Sequence, residues 1–379
     1  MEIEQSRWTA HKQWEPETPG KLGKESQLVI IFGSTAILKQ NKHIDHIAKI
    51  YPNARLWGCS TAGEIFATQV SDESLVVTAL AFQHTEVRSA QTKISQMKNS
   101  YHAGKYLAQS LEKQGLVHVM VVSDGLQING SDLVRGLMNG LPENVTITGG
   151  LSGDGERFKE TLIVCDHQAK TGHIAVLGLY SQKLKVGYGS LGGWDPFGPE
   201  RLITKSDGNM LYEMDGKSAL ELYKKYLGDH AKGLPATGLL FPLSLRMSEG
   251  QKGVVRTILS INEKDQSLTF AGDIPEGAYA RLMKANFDRL IDGAIGAAVT
   301  SYSALETSSP ELGILISCVG RKMVLKQRVE EEVEGVRDVL GNQAILTGFY
   351  SYGEISPFIP NAKCELHNQT MTITTLSEN

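Results

Sequence analysis

Two segments far apart in the chain carry the same set of polar and reactive side chains. Gly58-Cys59-Ser60-Thr61-Ala62-Gly63-Glu64-Ile65 and Gly348-Phe349-Tyr350-Ser351-Tyr352-Gly353-Glu354-Ile355 both read G-x-x-[ST]-x-G-E-I, and a looser copy, Gly149-Gly150-Leu151-Ser152-Gly153-Asp154, lies between them. Glycines let a backbone approach a bound molecule and expose its N–H groups, and a hydroxyl and a carboxylate beside them complete a cradle for a small ligand. Glu64 and Glu354 could act as a carboxylate pair that accepts from an amine or positions water. An acid/base pair of the glycosidase kind needs the two groups about 5 to 10 Å apart. The plainer alternative is that each acid accepts backbone N–H groups at its own turn. Cys59 could supply a thiolate if its turn lowered its pKa. The C-terminal copy has Phe349 there, so the thiol is not repeated, and no base for it is identified. Ligand contact and simple packing are its other readings.

Further candidates lie outside the repeats. Arg321 follows the turn Cys318-Val319-Gly320, where a guanidinium could grip a carboxylate; a surface salt bridge is the alternative. Trp194, in Gly192-Gly193-Trp194-Asp195-Pro196-Phe197-Gly198-Pro199, could be a stacking wall for a flat ligand or a hydrophobic plug. His118 opens an apolar strand and reads as a satisfied core histidine. The acidic run Glu330, Glu331, Glu332 and Glu334 reads as a solvated helix face. There is no C-x-x-C pair, no G-x-G-x-x-G opening a helix and no P-loop, so zinc and the familiar nucleotide cradles are not expected.

Each glycine-rich turn must be held by the elements before it, and these repeat as well. Apolar runs Leu28–Phe32, Val117–Val122 and Leu312–Ile316 end at small-residue turns. Helix-like stretches Ile37–Ile50, Ser131–Leu141 and Val324–Leu340 come next, followed by a second apolar run and the motif. A strand joined through a helix to another strand favours a parallel pair with a right-handed crossover, and ligands gather at the carboxyl ends of such strands. Leu75–Phe82, Val87–Ile94, His173–Tyr180, Leu184–Tyr188, Val254–Asn262, Ser267–Ala271 and Glu365–Leu376 read as further, antiparallel strands. Lys217–Leu227 and Ala278–Ala298 read as helices. The expected fold is therefore α/β: mixed parallel and antiparallel sheets with covering helices, built from internal strand–helix–strand repeats in two related domains. A polar N-terminal arm spans 1–26, a first domain 27–228 and a second 229–379, with Asp229–Pro235 as the boundary. The 379 residues, 41% of them hydrophobic and 21% charged with a net charge of -4, can bury real cores and give no basic field for nucleic acid. The polar start has no apolar signal region, no run is long enough to span a membrane, and the four cysteines lie far apart. A cytoplasmic protein without membrane insertion is expected.

These turns, the run Gly192–Pro199 and the segment Cys364-Glu365-Leu366-His367-Asn368-Gln369-Thr370-Met371-Thr372 resemble the FIST family of bacterial sensory proteins, over about Gln27 to Leu376. The resemblance implies paired FIST N and FIST C domains, a small-molecule or gas ligand, and a partner such as a sensor histidine kinase or a cyclic-di-GMP enzyme. A subgroup that this chain resembles implies haem b and nitric oxide sensing. His367 is then the candidate axial ligand, although it could equally hydrogen-bond to Asn368 or backbone. The ligand-contact set is Cys59, Ser60, Thr61, Gly63, Glu64, Trp194, Arg321, Ser351, Tyr352, Glu354 and Asn368. The alternatives to haem are another small molecule, such as an amino acid, or a hydrolase or transferase using Cys59 or the two glutamates. Whether the chain forms a homo-oligomer stays open.

Overall fold

The structure, a computed structural model, describes residues 1–248, 253–358 and 362–378. Three apolar strands, Leu28–Gly33, Leu116–Ser123 and Leu312–Cys318, each lie at the middle of a sheet, almost wholly buried. Each pairs in parallel with the second strand of its unit: Arg55–Ser60, Thr146–Leu151 and Ile345–Ser351. On its other side runs an antiparallel third strand, Ser74–Ala81, His173–Tyr180 or Met371–Ser377. A further strand from the start of the unit, Glu2–Thr9, Glu86–Lys93 or Lys185–Leu191, adds to that. The chain is thus three copies of one strand–helix–strand plan, in mixed sheets covered by helices.

The copies are interlocked. The hairpin that follows each glycine-rich turn does not return to its own sheet. Glu64–Phe66, from the first unit, pairs with Ile345–Ser351 of the third. Ile163–Cys165, from the second, pairs with Arg55–Ser60 of the first. Gly353–Pro357, from the third, pairs with Thr146–Leu151 of the second. The exchange closes on itself after three steps and joins residues 27–228 to residues 229–379 through shared sheets.

Gly58, Gly149 and Gly348 make this possible. A β-carbon at these positions would lie 1.8, 1.9 and 1.9 Å from the carbonyl oxygens of Ile31, Val121 and Leu315. The second strand must press against the first at that point, and only a residue without a side chain allows it. The third unit carries an insertion between its edge strand and its helices. Trp194–Asp207 pairs with Tyr279–Ala285 on one side and Met210–Met214 on the other, in an eight-stranded sheet. The helix Ala219–Leu227 buries Leu220, Tyr223 and Leu227 in that sheet's own core.

Several elements differ from expectation, each for a local reason. Ala278–Ala298 is not one helix: Tyr279–Ala285 is a strand, and the helix Phe287–Ser303 starts after Asn286, whose side chain accepts from Arg289 N. Leu282 satisfies both periods, which concealed the change. Glu365–Leu376 is two strands, Cys364–His367 and Met371–Ser377, parted where Gln369 takes a φ of 64°. Ile37–Ile50 breaks at Asn41 (φ 47°), and Val324–Leu340 is two helices, Val319–Leu325 and Val329–Leu340, parted at Lys326 (φ 51°). The polar arm contains the strand Glu2–Thr9, which lies antiparallel along all of Ser74–Ala81, with the short strand Gln13–Glu15 beyond its end at the margin of the sheet; a strand so near the margin needs no apolar run.

Gly348→Ala forces a methyl group into the Leu315 carbonyl, and the strand cannot yield without moving the turn. The expected cost is about 3 kcal/mol or more, read as a lowered urea midpoint at unchanged slope or as failure to accumulate soluble protein.

Candidate ligand site

The three glycine-rich turns meet. Ala62 N donates to Tyr350 O at 2.8 Å, Tyr352 N to Leu151 O at 3.1 Å, and Gly153 N to Ser60 O at 2.9 Å. These are equivalent positions in the three turns, so each turn donates to one neighbour and accepts from the other. Side chains reinforce the ring. Ser60 Oγ donates to Gly153 O at 2.7 Å and accepts from Leu162 N at 2.8 Å. Tyr352 Oη accepts from Asp154 N at 2.9 Å and donates to Gly155 O at 3.0 Å, while its ring stacks on Phe158. Asn368 Nδ2 reaches Tyr352 O at 3.5 Å.

The two glutamates have matching jobs at separate corners. Glu64 accepts from Thr61 Oγ1, and from Ser74 N at 3.0 Å and Ser74 Oγ at 2.7 Å. Glu354 accepts from Ser351 Oγ at 2.6 Å, Thr370 N at 3.2 Å and Thr370 Oγ1 at 3.0 Å. Each carboxyl ties its turn to the start of its unit's third strand. Both are fully buried, and burial raises Glu64 to about 7 and Glu354 to about 8, outweighing the hydrogen bonds that favour the charge.

Beside the ring opens a cavity of about 220 Å3. Thr61, Gly63 and Glu64 of the first turn line it, with Ser34 from the end of the first strand, Arg157 beyond the second turn and Lys322 from the helix Val319–Leu325. Ser34 is buried, and its Oγ has no hydrogen-bond partner among the described residues. Lys322 Nζ donates to Ala62 O at 2.9 Å and pairs with Asp72, while Arg157 Nη2 pairs with Asp154 at 2.6 Å. Asp72, Glu73 and Glu156 bring acid to the same wall. The cavity therefore presents cations and anions together, in a form suited to a small dipolar molecule.

The other expected contacts lie elsewhere. Cys59 is buried between Phe32 and Ile163 in its sheet, and burial pushes its thiol well above the ordinary value, the opposite of what a nucleophile needs. Arg321 is wholly buried, not on the surface: it pairs with Glu332 at 2.7 Å and donates to Gly192 O and Leu290 O at 3.1 and 2.6 Å. Glu332 in turn accepts from Ser317 Oγ and Tyr350 Oη at 3.1 and 2.6 Å, so one acid of the supposed solvated face is interior. Trp194 plugs a cluster of Met283, Leu290, Val324 and Leu325 and donates to Gln369 O at 3.0 Å. Ser351, Tyr352 and Glu354 serve the ring rather than the cavity wall. Lys322, Arg157 and Asp72 were missed as site residues. The first two stand one and three residues beyond features that the motifs mark, Arg321 and Asp154, whereas Asp72 has no signal of its own.

An axial haem ligand must present a bare nitrogen to an apolar pocket. His367 is buried with Nε2 2.7 Å from Ser356 O and its ring edge-on to Phe358. It is not among the residues lining the cavity beside the ring. His118 is likewise interior, held by Thr146 Oγ1 and Thr148 Oγ1 at 2.6 and 2.9 Å.

Two outcomes follow from this chemistry. Glu64 and Glu354 titrate higher folded than unfolded, so their contribution is full below about 4.5 and is lost as pH rises through about 7 to 8. Urea midpoints should fall over that window. In Glu64→Gln and Glu354→Gln, whose amides cannot ionise, the fall should shrink; an unchanged slope would contradict the assignment. Arg321→Met leaves Glu332 as an unpaired buried charge and should cost about 3–5 kcal/mol in the same measurement, with most of it regained in Arg321→Met/Glu332→Leu.

Comparison with known proteins agrees with the architecture. An uncharacterised protein of Methanocaldococcus jannaschii is 23% identical over 368 residues, covering 89% of this chain and 67% of its own. A solved cyanuric acid hydrolase from A. caulinodans aligns over 99% of this chain and 98% of its own at a TM-score of 0.35 and 8% identity, a likeness too low to bear on activity. The FIST N domain model matches residues 27–217 and the FIST C domain model residues 219–357, meeting inside the inserted sheet. Together they span most of the sequence, and the chain belongs to the FIST family.

Proposed function

We propose that this protein is a sensor whose ligand is a zwitterion of amino-acid size, bound in the cavity beside the ring of turns. FIST domains are sensory signalling domains that bind small ligands, and no helix among the described residues is long and apolar enough to cross a membrane. The observation that carries the reading is Ser34 Oγ, buried without a hydrogen-bond partner among the described residues, in a cavity that Lys322, Arg157, Glu64 and Asp72 also line. A buried hydroxyl left unsatisfied costs about 1–3 kcal/mol, which a ligand hydrogen bond would recover. A volume of about 220 Å3 lies below the usual range for drug-sized ligands and admits only a small metabolite. Lys322 and Arg157, each beside an acid it pairs with, can also donate to a carboxylate, and Glu73 and Glu156 on the same wall suit an ammonium group.

Output would pass by contact. The cavity is lined by pieces of all three units, so a ligand that bridges Thr61 to Lys322 favours one arrangement of their sheets over another. A sensor histidine kinase or a cyclic-di-GMP enzyme is the kind of partner we propose to read that change. Haem and nitric oxide are not part of this reading, because His367 does not line this cavity.

A thermal-shift screen of the free amino acids tests it. The expected result is a concentration-dependent rise in Tm for one or a few of them, lost in Ser34→Leu and weakened in Lys322→Gln. No rise with any of them, or a rise equal in Ser34→Leu, would refute the site.

A further inference from the structure

We infer that the junction between the inserted sheet and the second sheet is a separate binding site, for a small monocarboxylate with an apolar body, whose carboxylate Arg256 holds. A cavity of about 290 Å3 lies there, walled by Val134 and Met138 of the helix Gly130–Gly140, Leu245 and Ala278 of the insertion, and Leu366 near the chain's end. Arg256, on the strand Val254–Arg256, lines it and is only 8% exposed.

The guanidinium is oriented but not neutralised. Nε donates to Asp273 O at 3.2 Å, and Nη1 to Leu366 O at 2.9 Å and Val255 O at 3.4 Å. All three acceptors are main-chain carbonyls. Arg256 forms no ion pair among the described residues, and none of them accepts from Nη2. Burial pulls its pKa down to about 10. A buried charge is ordinarily paired, because removing one from water without a counter-ion costs several kcal/mol. Two acids bear on it without pairing with it: Glu365 is exposed to solvent, and Asp273 accepts from Asn129 Nδ2 at 2.7 Å and pairs with Arg135 at 3.2 Å. A ligand carboxylate at Nη2 would complete the pairing.

The walls decide the rest of the ligand. Its body must be apolar to cover Val134, Met138, Leu245 and Leu366, each of which gains from being shielded from water. Arg135, Arg246 and Lys363 also line the cavity, against Asp273 and Glu365, so its charge favours an anion, while the apolar walls favour one whose body is apolar. Bound there, the ligand would link the inserted sheet to the helix Gly130–Gly140 and the strand Cys364–His367, giving the insertion an input of its own.

Isothermal titration with hexanoate and with phenylacetate, each against its neutral amide, tests the site on the full chain. The expected result is saturable binding of at least one acid at one site per chain, at least tenfold weaker for its amide. Arg256→Gln should lose at least tenfold in affinity. Met138→Trp, which fills the cavity and leaves the guanidinium in place, should do the same while keeping the wild-type circular dichroism spectrum; it decides the matter if Arg256→Gln does not fold. Binding of neither acid, equal binding of acid and amide, or full affinity in Met138→Trp would overturn the assignment.

Discussion

Three main-chain hydrogen bonds, Ala62 to Tyr350, Tyr352 to Leu151 and Gly153 to Ser60, hold the centre of the molecule. Each is an ordinary bond that joins two of the three turns, and the ring closes only when all three turns are in place. The ring follows from strand exchange: every hairpin crosses to the neighbouring sheet, so every turn must pass the axis where the three sheets meet. Long-range pairings of this kind gain little until all are made, since each requires a large loop to close first. No sheet can be completed by its own unit, and the family's N- and C-terminal segments are bound to one another by their folding.

Burial at this centre governs the chemistry of its residues. Glu64 and Glu354 look in the sequence like a catalytic pair, yet each faces its own hydroxyl-bearing strand start and carries a raised pKa from loss of water. Arg321 has the type and location of an anion anchor, but Glu332, Gly192 and Leu290 already satisfy it. The interior uses strongly polar residues as ties, although several buried polar atoms have no partner among the described residues. Two open groups face a cavity: Ser34 Oγ beside the ring, and the Arg256 guanidinium at the insertion, whose Nη2 has no acceptor among the described residues.

The two cavities differ as their walls do. The one beside the ring is small and carries both signs of charge, because helix Val319–Leu325 and the second turn deliver Lys322 and Arg157 against acids of the first unit. The one at the insertion has an apolar wall of Val134, Met138, Leu245, Ala278 and Leu366 and a charged remainder that includes Arg256 and Asp273, because the helix Gly130–Gly140 presents Val134 and Met138 to the insertion. The insertion interrupts only the third unit, so it breaks the threefold pattern without touching the ring.

The amino-acid order alone fixed the repeating plan. Buried runs such as Leu28–Phe32 and Leu312–Ile316 have no solvated face, and G-x-x-[ST]-x-G-E-I marks where second strands end, so local pattern suffices for both. It also pointed to Thr61, Gly63 and Glu64, which line a cavity, because a small-residue turn at a strand's end lies where parallel sheets bind ligands. Short-range pattern did not separate Tyr279–Ala285 from the helix after it, nor show Glu2–Thr9 as a strand, since their alternation is weak and their partners are remote. Only the tertiary structure decided which sheet each hairpin joins, and with that which residues face a cavity. Lys322 and Arg321 are neighbours in the chain, yet one reaches the Ala62 carbonyl at the cavity while the other is sealed against Glu332. Side-chain direction and distant partners, not residue type, set that difference.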